Sequence, residues 1–149
     1  MAAKIALLLV RLIVGGVFIC AGALKAWETQ DFARDIQHYA ILPRLDLIIL
    51  LAVYLPWVEL FSGIAVVSRR LYLGGLIAIA GMMLIFTIAL TSAWARGLDI
   101  SCGCFGKAKE SIRTNFPALL GRDLALLAGS VILLGAEVRR FDKAGVQAK

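Results

Sequence analysis

The sequence predicts an all-α fold, a bundle of four transmembrane helices that forms a single integral membrane domain over residues 1–149. Three observations lead there. Hydrophobic residues make up 61% of the chain and mean hydropathy is +0.88, whereas soluble domains sit nearer half apolar. The excess is gathered into separate runs of about 20 residues, the length a helix needs to cross a hydrocarbon core. No strand-like alternation appears, and open sheet edges are excluded from lipid.

The spans are predicted over residues 5–24, 47–67, 71–94 and 117–136. Lys4, an apolar run and Ala21-Gly22-Ala23 imitate a secretory signal peptide. Arg11 interrupts that run and another span follows on a modest loop, so the segment reads as a span. In the first outer loop Phe32, Ile36 and Tyr39 recur at helical spacing, with Asp31, Arg34, Asp35 and Gln37 between them. They fit a short amphipathic helix on the outer surface, or a solvated loop with a few apolar contacts. Pro117, following Asn115, suits the first turn of the fourth helix. Residues 143–149 read as a frayed tail.

The formal charge is +6. In a soluble chain that would point to nucleic acid. Here Lys and Arg cluster in loops and tails, so topology accounts for them and the expected partner is the bilayer. Lys4, Arg69, Arg70, Arg139, Arg140, Lys143 and Lys149 lie in very short segments on one side. Lys25, Arg34, Arg44, Arg96, Lys107, Lys109, Arg113 and Arg122 are spread over two longer loops on the other. The density near span ends makes the first side cytoplasmic, with both termini inside. Trp27 and Trp94 sit at the outer span ends, as belt residues do.

Arg11 and Glu59 lie within spans, where charges are costly and are paired or functional. Counted from Ile5 and from Val67, their depths are about 9 and 12 Å at helical rise. A cross-helix salt bridge between them is therefore expected. It acts as a clasp that fixes helix register, or Glu59 serves as a proton-relay or ligand carboxylate. Pro56 removes a donor from the carbonyl of Ala52 and would open space beside Glu59. Arg11, Gly15, Phe18, Gly22 and Lys25 form one helical stripe whose glycines admit a partner helix.

The outer loop before the fourth span carries Cys102-Gly103-Cys104-Phe105-Gly106. A disulfide across one residue needs a sharply bent backbone, and Gly103 supplies the freedom. A strained, exposed disulfide is oxidising and labile. Arg96, Lys107, Lys109 and Arg113 favour the reactive thiolate, while Asp99 and Glu110 oppose it. A static brace, half of a metal site, or two inert thiols are the alternatives. A zinc site wants four ligands, and only Cys20 and His38 remain. Cys20 lies near the outer end of the first span and is a candidate resolving thiol. It sits about 180° from the Arg11 stripe, on a small-residue face with Gly16 and Ala23, which suits a packing residue instead. The single His38 argues against a bis-histidine haem, and no glycine-rich nucleotide loop or Ser-His-Asp triad appears.

Arg11, Gly22-Ala23-Leu24-Lys25, Leu55-Pro56-Trp57-Val58-Glu59 with Gly63, Arg96-Gly97 and the Cys-Gly-Cys-Phe-Gly element together resemble the MauE/DoxX family of small membrane proteins. The cysteine element is the most specific part and points to the MauE branch. The resemblance implies a four-helix protein of the bacterial inner membrane. It also implies a role in methylamine utilisation, where such proteins are thought to help mature the disulfide-rich small subunit of methylamine dehydrogenase beside a thioredoxin-like partner. DoxX-like relatives are associated with membrane redox complexes.

The reading is a membrane thiol–disulfide protein. Cys102 and Cys104 would exchange electrons with a periplasmic thioredoxin-like protein or a disulfide-rich client through a mixed disulfide. A pair that turns over needs an onward acceptor, for which quinone is a candidate, although no clear quinone motif is present. The rivals are a non-catalytic assembly subunit with a structural disulfide, and a small proton-coupled transporter built on Glu59.

Overall fold

The computed structural model describes residues 2–39, 41, 44–98 and 112–147. Among them run five helices: α1 Ala2–Trp27, α2 Thr29–His38, α3 Leu45–Ser68, α4 Tyr72–Ala95 and α5 Ile112–Gln147. Four segments are long and apolar enough to cross a membrane: Ile5–Trp27, Leu45–Ser68, Tyr72–Ala95 and Phe116–Arg140. No described residue is in a strand. The chain is a multi-pass, all-α membrane protein. Its outward faces carry exposed Ile13, Phe61 and Ile85, side chains that suit a lipid solvent.

The amphipathic segment after the first span is a helix rather than a solvated loop. α2 buries Phe32 at its centre, and Tyr39 just beyond its end is also buried. Two sequence expectations need correction at α5. The helix starts at Ile112, so Pro117 lies in its second turn and leaves the carbonyl of Arg113 without its helical donor. The helix also continues to Gln147, so residues 143–147 are helical rather than a frayed tail. Extra turns beyond the bilayer cost little once a long helix has nucleated.

The bundle has two ends. The start of α1, the short α3–α4 turn and the end of α5 share one; α2, the end of α4 and the start of α5 share the other. Val14, Phe18, Val66, Leu76 and Leu133 pack in the half nearer the termini. Tyr39, Leu90, Ala93 and Leu119 pack at the α2 end.

α4 stops at that end in a defined cap. Gly97 adopts φ 69°. Its N–H donates to the carbonyl of Trp94, and the N–H of Leu98 donates to that of Ala93. This pair of bonds is the Schellman pattern, which needs the left-handed backbone that glycine tolerates. Leu98 then folds onto the Tyr39–Leu90 cluster. Arg96 Nη2 donates to the carbonyl of Tyr39 at 2.7 Å, which ties the end of α4 to the end of α2.

Candidate functional site

α1 and α3 run antiparallel and nearly touch. A Cβ on Gly22 would lie 2.7 Å from the Pro56 carbonyl oxygen, and one on Gly63 would lie 2.8 Å from that of Gly15. Only glycine allows this approach. It delivers the next residue of the α1 stripe, Lys25, onto α3. Lys25 Nζ lies 2.6 Å from Glu59 Oε1, and both residues are buried. The ammonium also sits 5.0 Å from the centroid of the Phe32 ring, so α2 covers the ion pair with an aromatic face.

A second charged pair stands on α5. Arg122 donates to Asp123 Oδ1 from Nε at 3.2 Å and from Nη2 at 3.0 Å. Asp123 is only 1% exposed and lies within electrostatic reach of Lys25. Among the described residues, two cations and two carboxylates thus gather inside the bundle. Its acceptors are not all used: Glu59 Oε2 and Asp123 Oδ2 are buried with no hydrogen-bond partner among the described residues. Such orphaned oxygens cost free energy unless a donor reaches them.

Lys25, Glu59 and Arg122 stand at the wall of a cavity of about 240 Å³. The rest of the lining is apolar, with Phe18, Leu55, Met83 and Phe86 among the walls. The shape is a greasy chamber with a small polar rim, the usual make-up of a small-molecule site. At that rim Lys25 can donate a hydrogen bond, and Glu59 Oε2 can accept one from an N–H or O–H group.

The expected Arg11–Glu59 salt bridge is not formed, because the two residues lie at different depths. Gly15 opposes Gly63 and Gly22 opposes Pro56. Arg11 is four residues from Gly15 towards the termini, and Glu59 is four residues from Gly63 towards α2. The separation along the bundle is about 12 Å at helical rise. Counting from Ile5 and Val67 treated those residues as level, whereas Val67 packs beside Gly15. Arg11 instead joins Arg69 and Arg140 at the termini end.

Cys20 is exposed on the outside of α1. Gly16, on the same face, has open space where a Cβ would stand, so this face packs on nothing within the described chain. Cys102 and Cys104 lie outside the described residues. The described ends that flank their segment, Leu98 and Ile112, both belong to the α2 end. Sequence reasoning did not single out Lys25, Arg122 or Asp123 for this cluster. The signals were available: Lys25 completes the glycine stripe, and Arg122-Asp123 is a charged dipeptide inside an otherwise apolar span.

No solved structure matches the chain. A curated relative, the methylamine utilization protein MauE of Paracoccus denitrificans, is 29% identical over 96 residues, which cover 64% of this chain and 51% of the relative. The chain therefore spans about half the length of the curated relative it matches. The family model described as methylamine utilisation protein MauE matches residues 3–136, nearly the whole span region. On that match the chain belongs to the MauE family.

Proposed function

We propose that this MauE-family protein is a thiol–disulfide redox protein of the bacterial inner membrane that assists maturation of a disulfide-rich periplasmic client in methylamine utilisation. The observation that carries the reading is the Cys102-Gly103-Cys104 pair in a basic segment. A thiolate of the client or of a thioredoxin-like carrier attacks one sulfur of the Cys102–Cys104 disulfide and releases the other as thiolate. A second thiolate of that partner then resolves the mixed disulfide. The partner gains a disulfide, and the Cys102–Cys104 pair is left reduced by two electrons.

Turnover requires those two electrons and two protons to leave. A quinone drawn from the bilayer supplies the acceptor, and the cavity beside Lys25 and Glu59 is suited to its ring. Three features support this. The walls are apolar, the ammonium can donate to a quinone carbonyl oxygen, and Glu59 Oε2, which has no donor among the described residues, can accept from an O–H of the reduced ring.

The reading is tested by expressing Cys102→Ser and Cys104→Ser variants with the client and trapping mixed disulfides. The expected result is a covalent adduct with one variant and loss of client maturation in both, at wild-type abundance. Full maturation with a stably expressed double variant would favour the assembly-subunit reading. The transporter reading is weakened because Glu59 is ion-paired with Lys25 rather than a lone buried carboxylate.

A further inference from the structure

At the termini end, a second cavity of about 260 Å³ opens between α1, α3, α4 and α5. Its polar lining is Arg11 from α1, Arg69 at the end of α3, Tyr72 of α4, and Glu137 and Arg140 of α5. Glu137 Oε2 is shared between Arg69 Nη2 at 3.9 Å and Arg140 Nη1 at 3.6 Å. Arg69 also lies over the Tyr72 ring, 5.6 Å from its centroid. Arg11 has no carboxylate partner among the described residues, and its Nε is buried without a hydrogen bond. Among the described residues, the three guanidinium groups and one carboxylate of the lining leave two positive charges in excess.

A guanidinium turned into a cavity within a membrane span is costly unless an anion meets it. Arginine clusters match phosphate, whose oxygens accept paired N–H donors. The remaining walls identify the source of that phosphate. Leu7, Leu8 and Leu133 line the same cavity, and Leu8 is 44% exposed on the outside of α1. A phosphate held by Arg11 therefore has an apolar surface beside it for an acyl chain. Basic pockets of this kind between transmembrane helices take anionic lipid headgroups.

We propose that this cavity binds the phosphate of an anionic phospholipid, with Arg11, Arg69 and Arg140 as its ligands and the acyl chain along Leu7 and Leu8. The lipid supplies the counter-charge that Glu137 alone does not. It joins the first and last helices at the end of the bundle away from the Lys25–Glu59 cluster. The site is independent of the cysteine chemistry.

The test uses the full chain purified in a neutral detergent. Lipid retention is read by native mass spectrometry and protection by thermal unfolding, with phosphatidylglycerol, phosphatidylcholine or inorganic phosphate added. Phosphatidylglycerol is expected to stay bound and to raise the unfolding temperature. Phosphatidylcholine and inorganic phosphate at equal concentration are expected to do neither. Arg11→Gln should weaken phosphatidylglycerol binding by roughly tenfold or more, the scale of one charge-assisted hydrogen bond. Should Arg11→Gln fail to fold, Arg140→Gln, on a largely exposed side chain, should show the same weakening. Arg139→Gln, exposed and outside the cavity lining, should leave binding unchanged. Equal protection by phosphatidylcholine overturns the proposal, and equal protection by inorganic phosphate overturns the lipid as the ligand. Equal weakening by Arg139→Gln reduces the effect to general surface charge and overturns the site.

Discussion

Lys25 Nζ and Glu59 Oε1 meet at 2.6 Å across the α1–α3 contact, each residue only 6% exposed. The pair joins the α2 end of one span to the middle of another, and Phe32 of α2 covers it. Removing one partner leaves the other buried and charged. Lys25→Met or Glu59→Leu alone should each cost about 3–5 kcal/mol of stability. The double substitution should cost much less than the two singles together, because no orphan charge remains. Thermal unfolding of the four proteins in detergent measures the coupling. Additive losses would mean that the two side chains act independently.

The close approach that makes this pair is set by backbone rather than by charge. Gly22→Val would place its Cβ 2.7 Å from the Pro56 carbonyl oxygen and 2.8 Å from the Leu60 nitrogen. Neither backbone atom can move without shifting α3, so a loss of about 1–3 kcal/mol is expected. Gly16→Val, on the open face of the same helix, should be near neutral in packing. Comparable losses at both positions would indicate a general effect of β-branching in α1.

The four spans are legible because hydrophobic runs of bilayer length have few alternative folds. The α1 stripe of Gly15, Phe18, Gly22 and Lys25 is legible for the same reason, since helical spacing fixes which residues share a face. What the stripe does not carry is the axial register between two helices. A shift of two turns moves a contact by about 11 Å without changing any face. That is why Arg11 looked level with Glu59, while the glycine contacts bring Lys25 there instead. The α5 cluster is hidden for a different reason. Arg122 reads as a loop cation when counted for topology, yet it lies inside the span and pairs with Asp123.

Thiol accessibility should differ between the cysteines. Cys20 is exposed on a face of α1 that packs on nothing within the described chain, in a segment apolar enough to cross a membrane, and a charged reagent does not partition into the hydrocarbon there. With Cys102 and Cys104 replaced by serine, a membrane-impermeant maleimide should leave Cys20 unlabelled in spheroplasts and should label it once the protein is denatured in detergent. With Cys20→Ser instead, the impermeant reagent should label reduced Cys102 or Cys104 from the periplasmic side. Labelling of that pair only after lysis would invert the orientation assigned from basic residues.

Redox potential and electron transfer to quinone can be separated with the same variants. A disulfide closed across Gly103 in a basic segment should be comparatively oxidising, with a midpoint above about −300 mV in a glutathione titration. A lower value would mark a structural bridge. The Lys25→Met/Glu59→Leu double variant, expected to keep the fold, removes the ammonium donor and the Glu59 Oε2 acceptor from the cavity wall. Its dithiol midpoint should therefore stay at the wild-type value, because neither substitution alters the cysteine segment itself. Reoxidation of the dithiol by a short-chain quinone should nevertheless slow by roughly tenfold or more, the scale of one lost charge-assisted hydrogen bond to a ring carbonyl. Stopped-flow measurement of quinone reduction in detergent reads that rate directly. An unchanged rate with an unchanged midpoint would remove the cavity from the electron path and leave the Lys25–Glu59 pair as a clasp between α1 and α3.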